Sequence, residues 1–448
     1  MVRAGQGSQI NKSQRNGRIL LVTVGSLGDL HPFIAVALAL QARGLEAVIA
    51  GAEEHRAKVQ NEGLAFIAIR PSAAQVSADS GRDLGELVAD IAKSTTAIVD
   101  TGITPYIEET YADLVAAMTG ADLVVASSFA IIARLAVAKL GLPSVSLLLS
   151  PICFLSTTDP PAILELPWLP AVHRLLGPRG LRMVYALGRF QSRWVARSVG
   201  RFRRRLGLPP VRDEIFGEPL CADWVACAFS PLLAAVPTEA PKTVSVVGFS
   251  FYDSEAGGAD DLSRPLAQFL AEGPAPLVFG LGSAVVHAAG DFYDKAAAIA
   301  QRLGVRAVLL VGPEAETSLQ RLASSEIFVA GYVPYSQLFP HAAVIVHQGG
   351  IGTVGQAMRA GRPQLVCAYL GDQADNAERL VKLGIGRRLD LKRFTVERAV
   401  AAIKELLDAK VSAKAATLAD RVANENGAAV VAEGIARMLS QPRQPLSQ

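Results

Sequence analysis

Two stretches of this chain alternate short apolar runs with helical segments, and this repeated alternation constrains its fold more than any other feature. In the first stretch, Arg18 to Val24 is rich in Leu, Ile and Val, as a strand buried on both faces should be. A break at Gly25 to Pro32 follows, then an Ala/Leu-rich helix from Phe33 to Arg43 closed by Gly44. Strands at Glu46 to Ala50, Ala65 to Ile69, Asp122 to Ala126 and Ser144 to Leu149 continue the series, with helices at Glu53 to Glu62 and up to Lys139. The second stretch runs through strands at Pro276 to Leu281, Arg306 to Val311, Ile327 to Gly331, Ala343 to Val346 and Gln364 to Ala368, with a helix near Phe292 to Leu303. Such alternation builds βαβ units and parallel sheets. The reading is α/β, with two doubly wound, Rossmann-like domains facing a central cleft. Ligands of such sheets bind beyond the carboxyl ends of the strands.

Between the two series the pattern lapses. Pro151 to Pro210 is long, Pro-rich and Arg-rich, and reads as a helical insertion (151–210) in a first domain spanning 18–235. Composition shifts at Val236 to Pro241 and again at Asp253 to Asp261 mark a connection over 236–262. The second domain is expected over 263–420, followed by a C-terminal helix over 421–442 that returns to the first. The opening 17 residues are polar and rich in Gly, Ser, Gln and Asn, and read as a loose tail, not a signal peptide.

Composition narrows the class. Of 448 residues, 50% are hydrophobic and 19% charged, which excludes a disordered chain and permits a large core. Lys and Arg number 44 against 41 Asp and Glu, and a net charge of +3 is too small for a nucleic-acid binder. Cys153, Cys221, Cys227 and Cys367 are scattered, so neither a zinc site nor a disulfide framework is expected, and a reducing compartment fits. No segment reaches the ~18 uncharged apolar residues of a membrane helix; Arg134 and Lys139 interrupt the nearest candidate, Leu123 to Ser150. The expected location is cytoplasmic, with peripheral contact to the inner face of a membrane a further option.

The chemistry concentrates in the second domain. His347 to Gly355 (His-Gln-Gly-Gly-Ile-Gly-Thr-Val-Gly) follows an apolar strand and precedes a helical run from Val354 to Ala360. Glycines at 349, 350 and 352 allow close backbone approach, and a helix N-terminus presents unpaired N–H groups, so the segment suits a phosphate or diphosphate. An ordinary Gly-rich turn is the competing reading; His347 and Thr353 add two side-chain donors against it. Twenty residues on, Gly371 to Ala377 places Asp372 beside Gln373 before a helix. An acceptor next to a mixed donor and acceptor suits sugar hydroxyls, although Asp-Gln before a helix is also an N-cap pattern.

His347 to Ala377 resembles the donor-binding signature of the GT-B nucleotide-sugar glycosyltransferases, which use UDP- or dTDP-sugars on lipids, sterols, antibiotics and plant metabolites. Gly25 to Pro32 is similar to the first loop of bacterial members, and Gly331 to Pro334 to the nucleobase segment. The resemblance spans both domains, roughly Arg18 to Met438. It implies that His347, Gly349, Gly350, Gly352 and Thr353 hold the diphosphate, with Gly28 and Ser283 meeting the donor from the other side. It further implies that Tyr332 stacks on the base, whose edge pairs with the backbone of Val333, and that Asp372 and Gln373 bind the donor sugar. Asp29 stands where many relatives carry a catalytic His or Asp.

The sequence departs from the plant-type pattern at two places. Tyr335 and, approximately, Gln356 replace the Gln and the acidic residue that hold ribose hydroxyls. Ser127 and Ser128 stand where an Asp orients the catalytic His. The resemblance implies an inverting, metal-independent hexosyltransferase. Its acceptor would be an apolar hydroxylated molecule or lipid, and its donor a substrate, so no cofactor is expected. A base must take the acceptor proton and fixed donors must stabilise the departing diphosphate; a helix N-terminus does the second without a cation, and no Asp-x-Asp metal motif is present. Asp29 reads as that base, with a cap for the following helix as its alternative, and His31 reads as a surface or packing residue. Phe129, Phe154, Leu155, Trp168 and Leu169 are candidates for the acceptor pocket, equally explicable as core.

Arg174 to Arg205 holds ten arginines and no acid. Arg189, Arg193, Arg197, Arg201 and Arg205 recur every four residues and line one side of a helix, while Leu187, Phe190, Trp194 and Phe202 fall near another. A solvated basic face and a contact with an anionic membrane both fit. Two rivals to the transferase reading remain at this level: a sugar-nucleotide epimerase of the same fold, and a non-catalytic membrane-surface protein with a degenerate transferase fold.

Overall fold

The computed structural model describes residues 17–93, 96–211, 213–215, 217–254 and 261–441. The tail before residue 17 and Asp260 of the connecting segment lie outside them. Seven strands form the first sheet: β1 (Arg18–Val22), β2 (Glu46–Gly51), β3 (Ala65–Ala68), β4 (Leu123–Ser127), β5 (Ser144–Leu148), β6 (Trp224–Cys227) and β7 (Val244–Val246). Their spatial order is β3-β2-β1-β4-β5-β6-β7, all parallel. The second sheet holds β8 (Leu277–Gly280), β9 (Ala307–Leu310), β10 (Ile327–Ala330), β11 (Val344–His347), β12 (Gln364–Val366) and β13 (Gly386–Arg388). It is also parallel, in the order β10-β9-β8-β11-β12-β13.

Each strand feeds two cores, which is why its sequence is apolar throughout. Ile19 and Leu21 of β1 join Phe33, Ile34 and Val431 on one face, while Leu20 and Val22 join Ile107, Leu114 and Ile131 on the other. Phe279 and Leu309 likewise pack on Phe292 and Ile403, and Val278 and Val308 on Leu338 and Phe339. A further apolar cluster joins the halves: Leu148, Phe229 and Phe249 from the first meet Val354, Met358 and Leu380 from the second. The last helix, Gly427–Ser440, packs on the helix Leu27–Gln41 of the first half, with Gly434 against the Trp224 ring, where a Cβ would clash.

Strand order reverses between β1 and β4 in the first sheet and between β8 and β11 in the second. Those switch points open crevices at the carboxyl ends of the strands. They are also where the Asp29 loop, the Gly282–Ser283 turn and the His347–Gly350 loop leave their sheets. Fold and motif therefore converge on one place.

Element boundaries differ from the sequence reading for physical reasons. The first helix begins at Leu27, not Phe33, because Ser26 caps it and Pro32 is accommodated inside its second turn. The helix after the glycine loop is Ile351–Arg359, beginning three residues before Val354, with Gly350 as its N-cap. In the Arg-rich segment, a long helix Leu169–Val195 is bent at Gly177–Pro178 and followed by a separate helix Arg197–Arg205. Phe202 is buried there, whereas Leu187, Phe190 and Trp194 face outward.

Candidate active site

β1 delivers the chain into a tight turn in which Gly25 has φ +126°, and a Cβ at that position would overlap the Asp29 carboxylate. Ser26 then caps the helix, accepting from the Gly28 N–H at 3.3 Å, while Asp29 Oδ2 accepts from the Ser26 N–H at 2.9 Å and its hydroxyl at 3.3 Å. The pair forms a capping box, so the cap role is explicit in the geometry. The same carboxyl is half-buried. Burial, against the Ser26 bonds and with a smaller push from the Asp372 carboxylate, raises it to about 6. The two acids belong to different halves, so Asp29 and Asp372 face one another across the cleft. His55 Nε2 lies 3.1 Å from the Gly25 carbonyl and braces the turn.

His31, two residues along, is a packing residue as its sequence position suggested. Its ring meets Tyr252 edge to face at 5.1 Å, and burial, with Lys58 and His55 nearby, pushes it down to about 3. It is neutral at working pH.

Gly349 has φ +94°, and a Cβ there would lie 2.5 Å from Val366 Cγ1 and 3.1 Å from the Gln373 carbonyl. Only glycine fits. Gly350 caps Ile351–Arg359 without any side-chain bond, leaving the first N–H groups of that helix directed at the crevice. His347 is buried at the head of this loop. Its Nδ1 accepts from the Gly349 N–H at 3.0 Å, so the proton sits on Nε2, which donates to Gln364 Oε1 at 2.9 Å. Burial pushes the ring down to about 4. Both nitrogens are engaged within the protein, and through them His347 shapes the loop.

Thr353 is buried and hydrogen-bonds the Tyr335 phenol, which also stacks on Phe339 at 4.3 Å. Gln356 is buried, and its Oε1 finds no partner in the protein. Tyr335 is thus engaged within the protein, whereas Gln356 keeps an unpartnered acceptor. Ser283 is exposed at the start of the short helix Gly282–Val285, which packs against Leu27–Gln41. A residue the sequence reading missed lies between these loops: the Gln348 amide covers both Gly282 and Gly350, and its Oε1 is buried without a partner. Its only signal in the sequence was membership of the glycine loop.

Asp372 stands at the N-cap of the helix Gln373–Lys382 but makes no capping bond. Its carboxylate accepts instead from Asn376 Nδ2 at 2.9 Å and from the Ser150 hydroxyl, and burial raises its pKa. Asn376, fully buried, also donates to the Gly349 carbonyl at 2.9 Å and accepts from Ser150 Oγ at 3.3 Å. One amide thus ties the sugar segment, the glycine loop and the first half. Gln373 Oε1 accepts from the Tyr369 and Leu370 N–H groups at 2.9 and 3.1 Å, so its oxygen braces the preceding loop and only its amide nitrogen is left for a ligand.

Tyr332 is half-buried and Val333 buried beside a pocket of about 740 Å³ lined by Pro265, Pro313, Glu316 and Gln320. That pocket draws no lining residue from the loops of Asp29, His347 or Asp372, so it flanks the nucleobase segment only. Among the acceptor candidates, Phe129 and Trp168 are exposed, Phe154 packs on Phe229, Leu155 is half-buried with φ +44°, and Leu169 is fully buried core. Leu169 is therefore removed from a pocket role. Among the described residues, no three His, Cys, Asp or Glu side chains gather as a metal site, and no helix is long and apolar enough to cross a membrane.

Family models match both halves in the order that the motifs required. Residues 19–142 match the glycosyltransferase family 28 N-terminal domain. Residues 298–440 match the erythromycin biosynthesis protein CIII-like C-terminal domain. The chain belongs to the GT-B nucleotide-sugar glycosyltransferases. It is 29% identical over 429 residues to an O-mycaminosyltylonolide 6-deoxyallosyltransferase of Streptomyces fradiae, covering 92% of this chain and 94% of that one. With a vancomycin aglycone glucosyltransferase of Amycolatopsis orientalis it shares 27% identity, over 96% and 100% of the two chains. A sterol 3-beta-glucosyltransferase of Cryptococcus neoformans is 26% identical over 94% of this chain, which spans 27% of that longer protein. Among solved structures, the glycotransferase of kitacinnamycin superposes with a TM-score of 0.69 at 23% identity, over 95% and 100% of the chains. A spinosyn rhamnosyltransferase complexed with thymidine diphosphate gives 0.64 at 21%, over 94% and 100%. This GT-B glycosyltransferase thus keeps the shared fold from β1 to the returning C-terminal helix.

Proposed function

We propose that this glycosyltransferase is inverting and metal-independent, and moves a hexose from a UDP- or dTDP-sugar to a hydroxyl of an apolar small molecule or lipid. The observation that carries the reading is the Asp29 carboxyl, held near pH 6 at a switch point and facing Asp372 across the cleft. A base with a pKa near working pH is the effective one. The acceptor oxygen attacks the anomeric carbon as its proton passes to Asp29, and the bond to the diphosphate breaks with its electron pair leaving on the phosphate oxygen. N–H groups at the start of Ile351–Arg359, with Ser283 opposite, stabilise that charge. Asp372 and the Gln373 amide nitrogen hold the sugar; Tyr332 and Val333 hold the base. The acceptors in the relatives' names, O-mycaminosyltylonolide, vancomycin aglycone and sterol, support a small-molecule or lipid acceptor here. The exposed arginines at 189, 193, 197, 201 and 205 are the proposed contact with an anionic membrane surface.

Calorimetric titration of the nucleotides tests the donor half. Tyr335 is engaged by Thr353, and Tyr335 and Gln356 stand where the plant-type pattern has a Gln and an acidic residue for the ribose, so little in the site rewards a ribose 2′-hydroxyl. UDP and dTDP are expected to bind within ~10-fold of each other, about 1.4 kcal/mol. A hundredfold preference for UDP would reveal another residue reading the ribose. Transfer should survive exhaustive EDTA treatment, and rescue of a chelated, inactive enzyme by Mg²⁺ alone would overturn metal independence.

A further inference from the structure

The bent helix Leu169–Val195 is apolar on two opposite sides. Leu169, Leu181 and Tyr185 are buried against Leu155, Ile163 and Leu166. On the outer side stand Met183, Leu187, Phe190 and Trp194, spaced i, i+4, i+7 and i+11, which sets them in one narrow stripe. They are 74%, 61%, 58% and 60% exposed, and Leu175 and Leu176 at the bend are 81% and 64% exposed. Scattered surface apolar residues need no explanation, but an aligned stripe of four with two more at the bend does.

Charge indicates what covers it. Arg179, Arg182 and Arg189 are exposed along one flank of the stripe, and the Arg197 guanidinium lies over the Trp194 ring, 3.3 Å from its centroid. From Leu166 to Arg212 the sequence carries no Asp or Glu. A second copy of the chain, docked isologously, would set this basic flank against itself with no acid in the segment to answer it. An anionic bilayer offers hydrocarbon to the ridge and phosphates to the guanidiniums in one plane.

We propose that the ridge from Leu175 to Trp194 docks on an anionic lipid bilayer, the helix lying in the headgroup plane. The inference rests on the membrane contact proposed above and changes its nature: the ridge penetrates, and the arginines supply attraction from its flank. The buried side of the same helix holds the loop beside the cleft, since the Tyr185 phenol donates to the Ser156 carbonyl at 3.1 Å and the Ala162 N–H to Asp375 at 3.0 Å. Docking would therefore bring the lipid within one loop of the donor-sugar segment.

The test mixes the full-length protein with phosphatidylglycerol–phosphatidylcholine vesicles, or with pure phosphatidylcholine vesicles, and follows flotation and Trp emission. The expected result is flotation with the anionic vesicles and a blue shift that Trp194→Phe largely removes. Combined Leu187→Ser, Phe190→Ser and Trp194→Ser should cut partition by ~10-fold or more, as should combined Arg182→Gln, Arg189→Gln and Arg201→Gln. Both variants should keep the thermal shift given by dTDP, which shows that they fold. A wild-type protein that ignores both vesicles, or binds both equally, overturns the proposal; so does an apolar variant that floats as well as wild type. Self-association abolished by the serine variant, with no vesicle binding, would assign the ridge to a second copy. Loss of the dTDP shift in wild type with vesicle binding intact would sink the donor reading and leave this one standing.

Discussion

Asp29 carries a structural bond and a proposed chemical step on one carboxylate. Oδ2 accepts from Ser26, while burial and the Asp372 charge hold the group near 6. The base is active only when ionised, so kcat/KM should rise with pH through about 6 and then level off. Removing the like charge with Asp372→Asn lowers the Asp29 pKa and should move that acidic limb to lower pH, even as the lost sugar contact reduces the overall rate. A limb that stays in place would mean that Asp29 does not set it. Asp29→Asn should lose ~10²–10⁴-fold in transfer with nucleotide affinity near wild type, whereas His31→Ala, at a neutral packing residue, should be mild. Asp29 could be singled out from the sequence only through the resemblance of Gly25 to Pro32 to the first loop of bacterial glycosyltransferases. The engagement of His347 was not legible: Gln364, its partner, lies on a neighbouring strand, and only the register of β11 with β12 brings the two together.

At the scale of elements, two helices start at the crevice and a single buried amide sets their spacing. Asn376 belongs to Gln373–Lys382, yet it bonds Gly349 ahead of Ile351–Arg359 and Ser150 beyond β5. Asn376→Ala would leave the Gly349 carbonyl and Ser150 hydroxyl without that partner, at a cost of ~1–3 kcal/mol. If the amide acts on the site, dTDP affinity measured by calorimetry should fall ~10-fold in protein that remains folded. Loss of thermal stability with unchanged dTDP affinity would reduce Asn376 to a packing role. Strands carried by an apolar run were mostly readable in the sequence; β6, β7 and β13 were not, and β13, Gly-Arg-Arg, has no apolar run to mark it. Pro32 misled the reading of the first helix, since a proline usually marks a boundary, whereas the Ser26–Asp29 box fixes the true start.

Across the whole molecule, the halves are joined by a charged latch that no sequence pattern announces, because its members come from three distant segments. Asp375 accepts from Arg379 Nε at 2.8 Å and from the Ala162 N–H at 3.0 Å. Arg379 also reaches Asp159 at 2.6 Å and the Leu233 carbonyl at 3.1 Å, and Lys382 reaches Asp159 at 2.9 Å. Burial would raise the Asp159 carboxyl, but Lys382 and Arg379 outweigh it and hold it below its ordinary value. A carboxylate with a depressed pKa lends its stabilisation fully above ~4 and loses it as pH falls through the lower, latched value. The Asp159 arm of the latch therefore stays charged where Asp29 titrates, while burial raises the Asp375 carboxyl against its Arg379 bond. Between about pH 5 and 8 the radius of gyration from small-angle scattering should remain constant while transfer declines below pH 6. Asp159→Asn should instead open the molecule at every pH in that range. Asp159 is partly exposed and Arg379 keeps Asp375, so the loss should be only ~1 kcal/mol, seen as a roughly fivefold rise in donor KM with kcat little changed. Arg379→Ala should be far worse, because it strands Asp375 as a buried, unpaired charge. An expansion of the wild-type protein at pH 6, coincident with the loss of activity, would show that closure and not Asp29 carries the pH dependence.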